Sequence, residues 1–88
     1  MTDINKILKY LNAGSVGVLQ LERGNLKGVI LHKANLINAN LRYSDLYEAN
    51  LSHGDLSFVD LSYASLTYAV LFRANLIRAI LKKPNSSV

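Results

Sequence analysis

The sequence predicts an all-β solenoid, and three observations carry that prediction. Leucine stands at 21, 26, 31, 36, 41, 46, 51, 56, 61, 66, 71, 76 and 81, every fifth position without a slip. Two residues before each leucine from Leu26 onward sits a small residue: Gly24, Val29, Ala34, Ala39, Ser44, Ala49, Gly54, Val59, Ala64, Ala69, Ala74 and Ala79. The residue just before the leucine is often Asn or Asp, as at Asn25, Asn35, Asn40, Asp45, Asn50, Asp55, Asp60 and Asn75.

A five-residue period suits neither common element. An α-helix turns about 100° per residue, so leucines five apart walk around the whole circumference. On a continuous strand an odd period sends successive leucines to opposite faces. A chain that turns a corner every five residues keeps them all on one side. Each pentad then forms one side of a coil, with Leu and the small residue inward and the other three outward. Each buried Leu contributes roughly 1.5–3 kcal/mol, and the small residue leaves room for neighbouring leucines. Asn and Asp accept hydrogen bonds from nearby backbone N–H groups, which makes them corner fasteners. By the same assignment Ser57 points outward and tolerates Asp, whereas Leu51→Asp buries a charge.

Ala34-Asn35-Leu36, Ala49-Asn50-Leu51 and Ala74-Asn75-Leu76 carry a further reading. The pattern small, Asn/Asp, Leu and two variable residues resembles the pentapeptide-repeat family, over about residues 19 to 83. The resemblance implies a right-handed quadrilateral β-helix with four pentads per coil and about three coils. Residues 20 apart then stack at the roughly 4.8 Å spacing of neighbouring strands. Ile30, Val70 and Ile80 depart from the motif, and no corner bond is expected there.

Both ends of a short solenoid expose core and unpaired backbone. Ile4, Ile7, Leu8 and Leu11 recur at helical spacing, with Thr2 or Asp3 suited to the N-cap and Gly14 to the C-terminal stop. Residues 1–15 are therefore expected to form a capping helix and turn, with the helix over 3–13. Residues 16–83 form the β-helix and 84–88 a disordered polar tail. The last coil carries apolar residues at outward or corner positions, Val70, Phe72, Ile77 and Ile80, beside Leu81. Exposed apolar clusters mark contact surfaces. The expectation is a homodimer or other protein partner docked on the C-terminal end, and the resemblance adds that some family members dimerise through their C-terminal coils.

Stacking by 20 sorts the outward residues into columns. One side carries Arg23, Tyr43, Tyr63 and Lys83 beside Glu22, Arg42, Ser62 and Lys82. Another carries Lys33, His53 and Arg73 beside His32, Ser52 and Phe72, and a third holds Tyr47, Glu48, Thr67 and Tyr68. Aromatic residues among Arg and Lys can stack bases and hold phosphates. They equally form ladders that stabilise a β surface, and the ladder is the reading favoured here.

Function classes narrow by exclusion. His32 and His53 could begin a metal site, but no third ligand follows and Lys33 and Arg73 repel cations. Ser52, His53 and Asp55 do not form a relay, since the first two are chain neighbours and the third belongs to the next corner. No glycine-rich phosphate loop is present. No enzyme activity, cofactor or small-molecule substrate is expected. Cysteine is absent, which suits a reducing compartment. The start Met1-Thr2-Asp3-Ile4-Asn5-Lys6 lacks the pattern of a secretory signal, and no membrane association is expected. A cytoplasmic scaffold that presents a rigid surface to a protein partner is the leading expectation. Lys and Arg outnumber Asp and Glu by ten to six, a net charge of +4. That balance leaves direct nucleic-acid binding as the alternative. Binding to a type II topoisomerase by DNA mimicry, known in some members of the resembled family, fits less well because a mimic must be acidic.

Overall fold

In a computed structural model, which describes residues 2–15 and 17–83, one short helix precedes a solenoid of isolated parallel bridges. The boundary at 16 and the tail at 84–88 expected above lie outside the described residues.

Helix α1 spans Asp3–Asn12, with Thr2 as its N-cap. The Asn5 N–H donates to Thr2 Oγ1 at 3.1 Å, satisfying one of the first-turn donors that have no partner within a helix. At the other end the Ser15 N–H reaches the Tyr10 carbonyl and the Gly14 N–H the Leu11 carbonyl. This pair of bonds needs a left-handed residue, and Gly14 supplies it at φ 83° without Cβ strain. Only part of the expected apolar stripe is buried. Ile7 is buried in the core, with Tyr10 and Leu11 partly buried against it, whereas Ile4 and Leu8 face outward. The helix thus meets the solenoid along a narrow i, i+3, i+4 ridge, too narrow to include Ile4 or Leu8. A polar contact adds to this ridge: the Asn25 N–H donates to Asp3 Oδ2 at 2.7 Å.

From residue 20 onward, corner residues 20 apart pair in parallel, from Gln20 with Asn40 to Asp60 with Ile80. One turn per pentad and a 20-residue pairing interval give four sides to each coil. Where a mid-rod corner is Asn or Asp, all five backbone N–H groups of the pentad are satisfied. For the pentad of Leu51, the Leu51 N–H reaches the Val70 carbonyl and the His53 N–H reaches Phe72, both in the following coil. The Asn50 N–H reaches back to Val29, and the Gly54 N–H closes a turn onto Leu51 of its own side. The fifth, on Ser52, goes to Asn50 Oδ1 at 3.0 Å.

That last bond recurs at all eight Asn and Asp corners identified in the sequence: 25, 35, 40, 45, 50, 55, 60 and 75. Ile30, Val70 and Ile80 carry no side-chain acceptor, so the residue after the next leucine lacks this bond, as expected. The turn itself places the second residue after each leucine in the left-handed region. Arg23, Lys33, Asn38, Tyr43, Glu48, His53, Phe58, Tyr63, Tyr68, Arg73 and Arg78 all have φ between 57° and 63°. Gly28 is the sole glycine in this series. The turn hydrogen bond and the two neighbouring coils hold a conformation that costs an isolated L-residue about 1–2 kcal/mol.

The core is one column. Leu21, Leu26, Leu31, Leu36, Leu41, Leu46, Leu51, Leu56 and Leu61 are buried, as are the small residues beside them from Gly24 to Val59. Ser44 is buried at a small-residue position and donates to the Leu41 carbonyl at 2.6 Å. Burial relaxes toward the far end, where Leu66, Leu71 and Leu76 are half-buried and Leu81 is 47% exposed.

Two outward positions depart from the simple inside/outside rule, since Ser52 and Ser62 are buried under their neighbours. Ser57 is half-buried, and its hydroxyl donates to Asp55 Oδ1 at 2.8 Å. A carboxylate at 57 would face Asp55, so Ser57→Asp is not the silent change that the pentad pattern implied.

Thr67, exposed and outward, is a better control. Leu51→Asp is expected to cost at least about 3 kcal/mol by burying an unpaired charge, and Thr67→Asp about 0.5 kcal/mol or less. Chemical denaturation of the two variants beside the parent chain measures both.

Candidate interaction surfaces

The outward residues form the columns expected from 20-residue stacking, and each column has its own chemistry. On the first side, Tyr43 and Tyr63 stack with centroids 4.9 Å apart at an interplanar angle of 16°. The Arg23 guanidinium carbon lies 4.5 Å from the Tyr43 centroid, extending the ladder by one coil. Beside it runs a polar column. Arg42 Nη1 lies 3.3 Å from Asp60 Oδ2, and its Nε lies 3.9 Å from Glu22 Oε1. Asn40 Nδ2 donates to Gln20 Oε1 at 3.0 Å.

These contacts decide what the basic residues can offer. Arg42 is held between two carboxylates from neighbouring coils, so a phosphate would have to displace them. One face of Tyr43 is turned toward Tyr63 and the other toward Arg23, which leaves the edges of the Tyr43 ring for a ligand. The sequence-predicted column therefore assembles as a ladder, the reading favoured from the sequence.

The side of Lys33, His53 and Arg73 carries the second column. His32 and His53 meet with ring centroids 5.1 Å apart, and His53 meets Phe72 at 5.5 Å, both edge-on. Arg73 lies over the Phe72 ring at 5.5 Å, while Lys33 is exposed. Stacking by 20 set His32 beside Ser52, and the structure joins the two, one coil apart, by a hydrogen bond of 2.8 Å. The Ser52 hydroxyl also lies 2.6 Å from Asn50 Oδ1. Its single proton goes to that carbonyl oxygen, so Ser52 Oγ accepts from His32 Nδ1–H. A serine oriented this way is not primed as a nucleophile, because the imidazole donates to it.

On the remaining column's side Tyr47 and Tyr68 meet edge-on at 5.6 Å, and Lys27 lies 5.4 Å from the Tyr47 centroid. Lys27, Asp45, Tyr47 and Ser65 line a shallow open groove. Among the described residues no group of three or more His, Asp or Glu is placed to hold a metal, and no helix is long and apolar enough to cross a membrane.

The apolar residues of the last coil are exposed: Val70 45%, Phe72 63%, Ile77 64%, Ile80 43% and Leu81 47%. Phe58, on the same side as Ile77, adds to them at 50% exposure. Sequence reasoning missed Phe58 because it lies in a preceding coil; the 20-residue register, which stacks position 58 under 78 and position 57 under 77, was the available signal.

A four-sided solenoid of five-residue sides, with Leu inward and Asn/Asp at the corners, defines a β-helical repeat protein. A family model described as Pentapeptide repeats matches residues 20–57 and 55–83, with eight copies. The chain belongs to the pentapeptide-repeat family, whose members fold as right-handed quadrilateral β-helices and are generally non-catalytic structural or interaction modules. It is similar to a crystal structure of the pentapeptide repeat protein Rfr23 from the cyanobacterium Cyanothece 51142, at 29% identity and a TM-score of 0.70. That match covers 73% of this chain and 45% of the other. A pentapeptide repeat protein from the thylakoid lumen of Arabidopsis thaliana matches at 33% identity and a TM-score of 0.43, over 74% of this chain and 48% of that one. The chain thus spans under half the length of both solved relatives. No match is found among curated proteins.

The charged column generates a pH dependence. Burial pushes the Asp60 carboxyl up, but the Ser62 backbone N–H, which donates to Oδ1 at 3.0 Å, and Arg42 together outweigh it and hold the group below its ordinary value of 3.8. A carboxyl depressed on folding contributes stability that is present above the unfolded value and lost as pH falls through the folded one. Asp60→Asn keeps the corner acceptor and removes the charge. Thermal melts should show the parent more stable than the variant at neutral pH, with the gap closing as pH falls below about 4. The absence of a gap at neutral pH would assign Asp60 to the corner bond alone.

Proposed function

We propose that the chain is a non-enzymatic interaction module that presents rigid, flat-sided faces to a protein partner and self-associates through its last coil. The observation that carries this reading is the contrast between the two ends of the leucine column. At the N-terminal end Leu21, Leu26, Leu31 and Leu36 are at most 5% exposed, with helix α1 packed against the core. In this reading α1 is the cap of a rod of about three coils. At the other end the leucines lose cover, and Phe72, Ile77 and Ile80 surround them with further apolar surface. Apolar patches of this kind are characteristic of contact surfaces.

Support for a non-catalytic role comes from the surface chemistry. The contact between Ser52 and His32 runs in the wrong direction for nucleophilic attack. A cytoplasmic location belongs to the same proposal, and the absence of cysteine fits it.

Direct nucleic-acid binding is the second reading, favoured by the stack of Arg23 on Tyr43 and by the net charge of +4. Engagement of Arg42 by Asp60 and Glu22 weighs against it. Topoisomerase binding by DNA mimicry ranks below both, because the same positive balance opposes it.

Sedimentation velocity over a range of concentrations tests the self-association. The parent chain should sediment as a dimer, and Phe72→Glu/Ile77→Glu should raise the dissociation constant at least about tenfold, since two desolvated charges exceed the 1.4 kcal/mol that a factor of ten requires. A parent that stays monomeric, or a double variant that dimerises as well as the parent, contradicts the proposal.

A further inference from the structure

We propose that His32 and His53 form a two-imidazole surface site for a divalent transition-metal ion, with copper(II) the preferred occupant. The sequence placed the two residues on one side, and the structure brings their rings together one coil apart. Their ring centroids are 5.1 Å apart, with the planes inclined at 70°. A metal held at about 2.0–2.1 Å from one nitrogen of each ring sets the centroids roughly 4.5–5.3 Å apart, for bond angles from square to tetrahedral. The observed separation falls inside that window.

A second, independent observation concerns the tautomer of His32. The Ser52 hydroxyl spends its proton on Asn50 Oδ1, at 2.6 Å, and Asn50 Oδ1 is fixed as the oxygen because it also accepts the Ser52 N–H. Ser52 Oγ therefore accepts from His32 Nδ1–H at 2.8 Å. The proton on Nδ1 leaves the Nε2 lone pair of the neutral ring unprotonated, on an exposed side chain. Metal-ligating histidines characteristically donate their other ring N–H to an oxygen in this way, which fixes the ring and raises its basicity. Ser52 is only 7% exposed, so the anchor is itself held in place. Phe72 meets the His53 ring at 5.5 Å and limits its swing.

Lys33 and Arg73 flank the pair and lower its affinity for any cation. Two imidazoles against that charge favour the ion with the greatest intrinsic affinity for nitrogen donors, which in the first-row series is copper(II). The other coordination positions go to water, so the site is open to a further ligand.

Copper(II) titrated into the full chain, followed by calorimetry in a non-coordinating buffer at pH 7.5 and by NMR of the histidine rings, tests the site. One ion should bind per chain and broaden both ring signals together. His32→Gln and His53→Gln should each weaken binding at least about tenfold, and Ser52→Ala by about tenfold through the lost anchor, with circular dichroism unchanged in all three. A parent without stoichiometric binding overturns the proposal. So does affinity retained within twofold in either histidine variant, which would move the copper to the chain's amino terminus. Unchanged affinity in Ser52→Ala overturns the anchoring role of Ser52.

Discussion

One hydrogen bond, from a backbone N–H to the Asn or Asp side chain two residues earlier, completes eight of the corners on which the fold depends. Four of the five N–H groups in a mid-rod pentad are satisfied by main-chain carbonyls, three across coils and one within the turn. The fifth points toward its own corner and finds no carbonyl there. A side-chain oxygen supplies the missing acceptor, and of the common residues Asn and Asp carry one at the right reach. With that donor satisfied, the chain can bend every five residues without orphaning backbone. The bend in turn keeps each leucine facing the same axis.

The same bend explains a feature that composition conceals. The residue two after each leucine sits at φ near 60°, yet the chain places Arg, Lys, Tyr, His and Phe there and glycine only at Gly28. Left-handed residues are ordinarily read from Gly or Asn. Here the conformation is imposed by hydrogen bonds on both sides of the turn, so bulky outward side chains are tolerated. That tolerance is what allows the columns of tyrosine, histidine and arginine to exist. In this sense the surface chemistry depends on the bend as much as the core does.

Much of the fold was legible in the sequence. The leucine register fixed the inside, the Asn/Asp positions marked the corners, and Ile30, Val70 and Ile80 were correctly singled out as corners without an acceptor. What stayed hidden came from contacts between coils. Ser57 reads as a free outward serine until its hydroxyl is seen on Asp55. The hydrogen bond between Ser52 and His32 also went unread, although stacking by 20 had set the two side by side. The helical stripe was half right, since Ile7 and Leu11 pack inward while Ile4 and Leu8 do not. Partner preference was not legible at all, because outward positions are free to vary without disturbing either core or corners.

Residue-resolved amide hydrogen exchange tests the corner account most directly. The amides of Tyr47, Ser52 and Ser57, each bonded to an Asp or Asn side chain, should be strongly protected. Those of His32 and Phe72, which follow Ile30 and Val70, should exchange far faster despite lying in the same register. Equal protection at both sets of positions, or a continuous block of protection typical of a long helix, would contradict it.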